Sequence, residues 1–316
     1  LVNRMFYNQI GKTMEVYVDD MLVKSRQSSD HTTNLAEMFG ILRKYGMKLN
    51  PTKCSFGVAS GKFLGFIVSS RGIEINPDQI AAIRGIQEPR QIKDVQSLVG
   101  KVASLSRFIS RATDKCIPFF ELIKRGKRNF KWTPDCIEAF QNLLNHLERP
   151  PILSKPVDHE DLFVYLAVSS HAISSALVRE EDKVQRPVYY VSKKLAAAEH
   201  NYPRIEKLAY SLLIASRKLR HYFQAHPIIV YTDHPLKQVL QRPEASGRLL
   251  KWNIELSQID LNFQPRRSIR GQVLADFIAE FTVPEDDIVN EEADPPKLLL
   301  DPSAWKLYTD GARNDK

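Results

Sequence analysis

The 316-residue sequence is short of the features that mark several protein classes. No window approaches eighteen uninterrupted apolar residues, so no membrane-spanning helix is expected. Cysteine is scarce: Cys54, Cys116 and Cys136 are the three present, and no pair has CxxC or CxxH spacing. An odd count without that spacing argues against a disulfide framework and against a zinc centre, and is read as reduced thiols in an intracellular compartment. The opening LVNRMFYNQI has no initiating Met and no signal-peptide layout; it reads as the interior of a helix, and the chain is expected to be cut from something longer. Ser169, Ser170 and His171 have neither an acid nor a nucleophile elbow to make a hydrolase triad. His221, His226 and His234 lack metal-ligand spacing and are expected to be surface or packing histidines. No solenoid-type repeat is found.

What is present is an ordinary globular composition, 43% hydrophobic and 26% charged, long enough for two or three domains. The net charge of +8 is concentrated: from Arg84 to Lys131 there are twelve Lys/Arg against four Asp/Glu, so the rest of the chain balances. A 48-residue stretch holding the whole excess is either a phosphate-tracking surface or a solvated helical face.

MEVYVDDMLVKS, residues 14–25, alternates and is β-rich, which predicts a hairpin with Asp19–Asp20 at the bend. Asp-Asp is a poor tight-turn pair, and adjacent carboxylates repel, so both face water or share a cation. DHTTNLAEMFGILRKYG follows as a helix with Leu35, Met38, Phe39 and Leu42 on one face, Asp30 at its start and Gly46 at its end. Short strands are expected in KCSF and GKFLGFIVSSRGIEI. Asn76 and Pro77 open the next helix. In DVQSLVGKVASLSRFI, the side chains of Leu98, Val99, Val102, Leu105 and Phe108 form a stripe that excludes Lys101 and Arg107. Residues 116–160 read as a helical connector. From Leu162, three strands precede the long helix PRIEKLAYSLLIASRKLRHYF, then alternating elements to Phe281, a pattern of a mixed sheet with packed helices. Six acids lie between Glu285 and Asp294, so residues 282–303 read as an acidic linker.

YVDD resembles the YxDD box of reverse transcriptases, and LRKYGMKLNPTKCSFGVASGKFLGFIVSSRGIEI resembles the palm-to-thumb segment of gypsy-type long-terminal-repeat retrotransposon Pol polyproteins. The likeness continues through a thumb, a connector and an RNase H-like region. It implies two-metal nucleotidyl transfer with Mg²⁺ or Mn²⁺, two ions in the intact parent, held by oxygen ligands. Asp19 would be a metal ligand and Asp20 a supporting carboxylate, and Tyr17 would lie near the primer terminus. Phe63, Leu64 and Gly65 fall where the family holds the primer backbone, although Phe63 and Leu64 also suit an ordinary core. Lys101, Arg107 and Arg111 become candidates for phosphate contacts to template and primer. The family's third palm aspartate, its fingers and its nucleotide-binding residues precede the start of this sequence, so the 316 residues alone are expected not to polymerise.

The RNase H-like region fits less well. Aligned on the four acids of that family, the first position is Ala167 in AVSSHAISSAL and the second is Leu208 in EKLAYS; Asp233 and Asp276 fill the other two. Glu206 cannot replace the second, because two residues along a helix turn a side chain by about 200°. Two acids of four cannot clamp two metals, so this region is expected to be degenerate and to position duplex without cutting it. LYTDGARND resembles the first strand of another RNase H, with Asp310 as its first acid; plant gypsy-type elements of one group carry such a second domain, tethered here by the extended linker.

The expected fold is α/β and α+β: part of a reverse-transcriptase palm (1–75), a thumb (76–115), a connector (116–160), a degenerate RNase H-like domain (161–281), the acidic linker (282–303) and the start of a second RNase H (304–316). The implied partners are an RNA template, a DNA primer, deoxynucleotides, and the other Pol domains: upstream palm and fingers, downstream RNase H and integrase. No membrane partner is expected, and the implied setting is the cytoplasm, virus-like particles or the nucleus. The other class of reading is a non-catalytic nucleic-acid-binding remnant or a domesticated structural module.

Overall fold

The computed structural model describes residues 2–126, 130–241 and 247–265. Asp276, the linker 282–303 and the tail with Asp310 lie outside them. The architecture is mixed α/β, as the sequence pattern predicts.

A first, small core forms around α1 (Val2–Met5), a hairpin of β1 (Met14–Tyr17) and β2 (Asp20–Val23), and α2 (His31–Lys44). Met5, Phe6, Met14, Met38 and Leu42 are buried there, with Leu35 and Phe39 packed against them. Asp30 stands at the N-cap of α2 without a side-chain cap bond, and Gly46 follows its end at φ +65°. KCSF does not form a strand; Asn50 caps a 3-10 turn at Pro51–Lys53, and the chain runs on without pairing to Ser60.

Three short antiparallel strands follow, β3 (Ser60–Phe63), β4 (Phe66–Ser69) and β5 (Gly72–Ile75). Then come α3 (Pro77–Arg84) and α4 (Ile92–Ser104); Asn76 caps α3 by accepting the Asp78 amide at 3.1 Å. The predicted thumb stripe ends in a 3-10 turn at Ser106–Phe108 rather than in a continuous helix. Residues 112–115 form α5 (Ala112–Lys115), and the segment read as the connector contributes α6 (Ile117–Arg125) and α7 (Pro134–Glu148).

The largest sheet has the order β10-β9-β6-β7-β8. Its strands are β6 (Leu162–Val168), β7 (Ala172–Glu181), β8 (Val184–Lys194), β9 (Ile228–Tyr231) and β10 (Leu261–Gln264). β7 is antiparallel to β6 and to β8, whereas β9 runs parallel to β6 and β10. The long helix read from the sequence is two, α8 (Arg204–Lys218) and α9 (Arg220–Ala225), divided at Leu219; α10 (Leu236–Gln241) and α11 (Gly247–Leu256) complete that side.

Residues alternate along a strand between its two faces. Leu162, Val164 and Leu166 enter one core with α8, α9, α10 and α11. Tyr165 and Ala167 enter another, shared with the thumb, with the connector helices and with Phe66 and Ile75 of the three-stranded sheet. The sheet is therefore buried on both faces. A backbone stitch reinforces this: Ile73 and Leu153 exchange two hydrogen bonds of 2.9 Å, and the next residue, Ser154, donates to Pro187 of β8 at 2.8 Å. At Gly72 the chain passes so close to Leu153 that a Cβ would sit 2.1 Å from its carbonyl oxygen, and φ is +137°. Both facts require glycine there.

Candidate metal-binding hairpin and nucleic-acid interface

In the β1–β2 hairpin Tyr17 pairs with Asp20 and Val16 with Met21, so the two-residue turn is Val18–Asp19. This corrects the expected bend at Asp19–Asp20 by one residue. The turn sets Val18 at φ +52°, a left-handed conformation that costs a β-branched residue about 1–3 kcal/mol. The far end holds the register: Lys24 N–H donates to the Thr13 carbonyl at 2.8 Å, and Lys24 Nζ meets Glu15 at 2.5 Å.

Directly opposed residues in an antiparallel pair project to the same face. Met14, Val16, Met21 and Val23 turn to the small core. Tyr17, Asp20 and Leu22 share the other face, where a Cβ built on Gly61 of β3 would lie 3.6 Å from Leu22 Cδ1. Asp20 thus stands on the side that abuts the three-stranded sheet, and Asp19 stands at the tip. Both acids are exposed, and Tyr17 and Val18 are 58% and 69% exposed. No salt bridge or side-chain hydrogen bond engages either carboxylate among the described residues.

These are hard oxygen donors free to bind, which suits Mg²⁺ or Mn²⁺; magnesium is usually held by one or two carboxylates with water and substrate phosphate. Among the described residues no group of three His, Cys, Asp or Glu could hold an ion. The hairpin thus offers two carboxylates, the number that magnesium commonly takes from a protein, leaving its other positions to water or phosphate.

Leu64 and Gly65 form the β3–β4 turn at φ +52° and +78°, closed by Phe63 opposite Phe66. Leu64 is exposed, Phe63 half-buried and Phe66 buried. The three cations expected to touch phosphate are engaged within the protein. Lys101 Nζ donates to the Ala82 carbonyl at 3.2 Å. The Arg107 guanidinium lies over the Phe66 ring, 4.1 Å from its centre. Arg111 Nε donates to Asp114 at 3.0 Å. Exposed cations of the same basic stretch, Arg84, Arg90, Lys93, Lys124, Arg125 and Lys131, make no ion pair among the described residues. The outer side of α4 carries the small residues Ser97, Gly100 and Ser104 beside the exposed Lys93 and Gln96. Basic excess pointed at this region of sequence; the particular side chains were decided by packing.

In the RNase H-like sheet Ala167 is buried on β6 and Leu208 is buried on α8, each 3% exposed, in the two separate cores. Asp233 is exposed just beyond β9. Tyr165 pairs with Tyr231, so Ala167 and Asp233, two residues further along each parallel strand, stand at the same end of the sheet. Helix α5 closes over that end: Asp114 accepts from Ser169 Oγ at 2.6 Å, and the Thr113 amide donates to Ser192 Oγ at 3.0 Å. Glu206, rejected above as a substitute acid, is bound by Arg248 at 2.7 Å.

The other groups weighed in the sequence have ordinary partners. Ser170 Oγ lies 2.6 Å from His171 Nδ1, and His226 Nδ1 bonds the Glu160 carbonyl at 3.0 Å. All three cysteines are free; Cys116 and Cys136 are buried, and burial pushes the Cys116 thiol up to about 12. No helix of the described residues is long and apolar enough to cross a membrane.

The hairpin with bare acids, the basic helical region and the five-stranded sheet can be set beside known proteins. Residues 2–68 match the reverse transcriptase (RNA-dependent DNA polymerase) family, and residues 132–230 match the RNase H-like domain found in reverse transcriptase. These two matches fall on separate parts of the chain, which is similar to retrotransposon Pol polyproteins. It is 27% identical over 286 residues to the retrovirus-related Pol polyprotein from transposon 297 of Drosophila melanogaster, covering 90% of this chain and 26% of that protein. It is 26% identical over 257 residues to the Tf2-3 transposon polyprotein of Schizosaccharomyces pombe, covering 79% of this chain and 19% of that one. The chain thus spans about a quarter or less of these relatives. Among solved structures, the foamy viral protease-reverse transcriptase with dsDNA superposes at a TM-score of 0.71 and 25% identity, covering 85% of this chain and 57% of that one. The same protein with RNA/DNA hybrid superposes at 0.72 and 23% identity, covering 85% and 37%.

Proposed function

We propose that this chain is the catalytic-hairpin, thumb and connector portion of an RNA-directed DNA polymerase from a gypsy-type retrotransposon of the plant lineage, joined to an RNase H-like domain that positions duplex without cleaving it. The observation that carries the reading is the pair of exposed, unpaired carboxylates at Asp19 and Asp20, on a hairpin that abuts the three-stranded sheet. In a polyprotein of its relatives' length, Asp19 and Asp20 would help hold two divalent ions. When bound, such ions lower the pKa of an attacking hydroxyl and neutralise charge on the phosphoryl group. Tyr17, opposite Asp20, would flank the end of the primer, and the Leu64–Gly65 turn would seat its backbone. The exposed cations from Arg84 to Lys131 would follow phosphates of template and primer, giving binding that weakens with salt.

Ala167 and Leu208, where metal ligands would be required, make the RNase H-like domain a non-cleaving spacer, with Asp233 and Asp276 as residual acids. Asp310 would begin a second RNase H, and the remaining Pol domains would be covalent neighbours, with deoxynucleotides as substrates. The setting would be the cytoplasm, virus-like particles or the nucleus. A second reading is a non-catalytic nucleic-acid-binding remnant or domesticated module, for which the exposed cations Arg84, Arg90, Lys93, Lys124, Arg125 and Lys131 would suffice without the acids.

Primer extension separates the two. The chain is joined to the palm and fingers of its polyprotein and assayed on an RNA template, with and without Asp19→Asn. Extension that falls to background in the variant supports the polymerase. Equal extension with and without Asp19 would contradict it, and no extension by either would favour the binding module.

A further inference from the structure

The thumb turn at Ser106–Phe108 meets two other regions through one side chain. Arg107 Cζ lies 4.1 Å from the centre of the Phe66 ring and 5.9 Å from that of Tyr189. Phe66 is the first residue after the Leu64–Gly65 turn, and Tyr189 is on β8 of the RNase H-like sheet. Phe108 packs on Phe66 from the same turn, with ring centres 5.5 Å apart, so Phe66 is held by two consecutive thumb residues. Burial and the neighbouring Tyr189 push the Tyr222 hydroxyl up while the Arg107 charge pulls it down. No carboxylate pairs with Arg107 among the described residues. Its charge is held by ring faces, an arrangement that uses the flat, delocalised cation and that a lysine reproduces poorly.

We propose that Arg107 is a positioning residue that couples the Leu64–Gly65 turn to the RNase H-like sheet, and not a contact to nucleic acid. Its functional meaning rests on the polymerase reading above: the turn that would seat a primer is registered against the domain that would hold the duplex further along. The Ile73–Leu153 stitch joins the same regions by a separate route, so loss of Arg107 loosens the turn locally without parting the domains.

Hydrogen exchange of the chain without nucleic acid tests the coupling. A ring–cation contact of this size corresponds to roughly a two- to five-fold change in a local opening equilibrium. Exchange of the amides of residues 66–69 is expected to quicken by that factor in Arg107→Ala, in Arg107→Lys and in Tyr189→Leu, although Tyr189 belongs to another domain. Combining Tyr189→Leu with Arg107→Lys should add nothing further. Unchanged exchange in Tyr189→Leu, full protection in Arg107→Lys, or simple additivity would overturn the proposal. The salt dependence of RNA–DNA hybrid binding gives a second arm. Its slope should be the same in Arg107→Ala as in the unaltered chain, whereas a slope reduced by about one would mark a phosphate contact and overturn the proposal. Failure of the unaltered chain to bind hybrid would sink the polymerase reading and leave the exchange result standing.

Discussion

The hairpin at residues 14–23 and the sheet at residues 162–264 answer the same chemical question in opposite ways. At the hairpin, two acids stand in solvent beside a thin core of methionine, phenylalanine and leucine, unneutralised by any described neighbour. At the sheet, the positions that the proposed reading aligns with metal-binding acids are Ala167 and Leu208, each buried in a core. An open acidic site has to keep water on its face, and that face cannot then contribute apolar burial. Once alanine stands at 167, the same face can close against the connector, and it does. The difference teaches what one side of this sheet does in the fold: it is the floor on which helices α3 to α7 are packed.

The largest effect expected from this contrast is at Ala167. Ala167→Asp places a carboxylate without a partner in the connector-side core, and should cost about 3 kcal/mol or more of stability in a denaturant titration. A neutral result would mean that this end of the sheet is open to water after all. Gly72→Ala comes next, because it strikes the seam between the regions. With φ at +137° and the Leu153 carbonyl in the way, a loss of about 2 kcal/mol or more is expected. At the hairpin the sign reverses: Val18→Gly relieves a left-handed valine and should stabilise by about 1 kcal/mol. Asp19→Asn, at an exposed site, should move stability by less than about 0.5 kcal/mol.

A pH titration sharpens the same contrast. Burial would push the Glu199 carboxyl up, but hydrogen bonds from the Ala196 amide, the Tyr210 hydroxyl and the Lys193 ammonium outweigh it and hold the group below its ordinary value of 4.5. Because the folded value is the lower one, this stabilisation is complete above the unfolded value and is lost as pH falls through the folded value. Glu199→Gln should therefore flatten the acid limb of stability below about pH 4.5. An unaltered acid limb would show that the cluster with Lys193 and Tyr210 does not form.

Much of this was readable in the chain. Alternation in MEVYVDDMLVKS gives the hairpin, and its faces follow from which residues are apolar. The turn lies one residue earlier than the sequence indicates: local preference argues against valine at positive φ, and here the Lys24–Thr13 pairing prevails over that preference. Asn76 and Pro77 announced their helix because the capping chemistry is local. KCSF looked like a strand but has no partner, and pairing is a property of two segments. The basic stretch was legible as charge, whereas the choice of Arg107 or Lys101 as phosphate contacts depended on ring and carbonyl neighbours far along the chain. Gly72 looked like any turn glycine; its close approach to Leu153 crosses two domains. Ala167 and Leu208 were visible as departures from a pattern, but only the fold places them in separate cores.

The account turns on the RNase H-like sheet having given up its chemistry to packing while the hairpin kept its acids. The most direct measurement is RNA-strand cleavage of an RNA–DNA hybrid by the 316-residue chain with Mg²⁺ or Mn²⁺, compared with its Asp233→Asn variant. The account predicts hybrid binding with no cleavage that depends on Asp233. Cleavage by the unaltered chain that disappears in Asp233→Asn would contradict it.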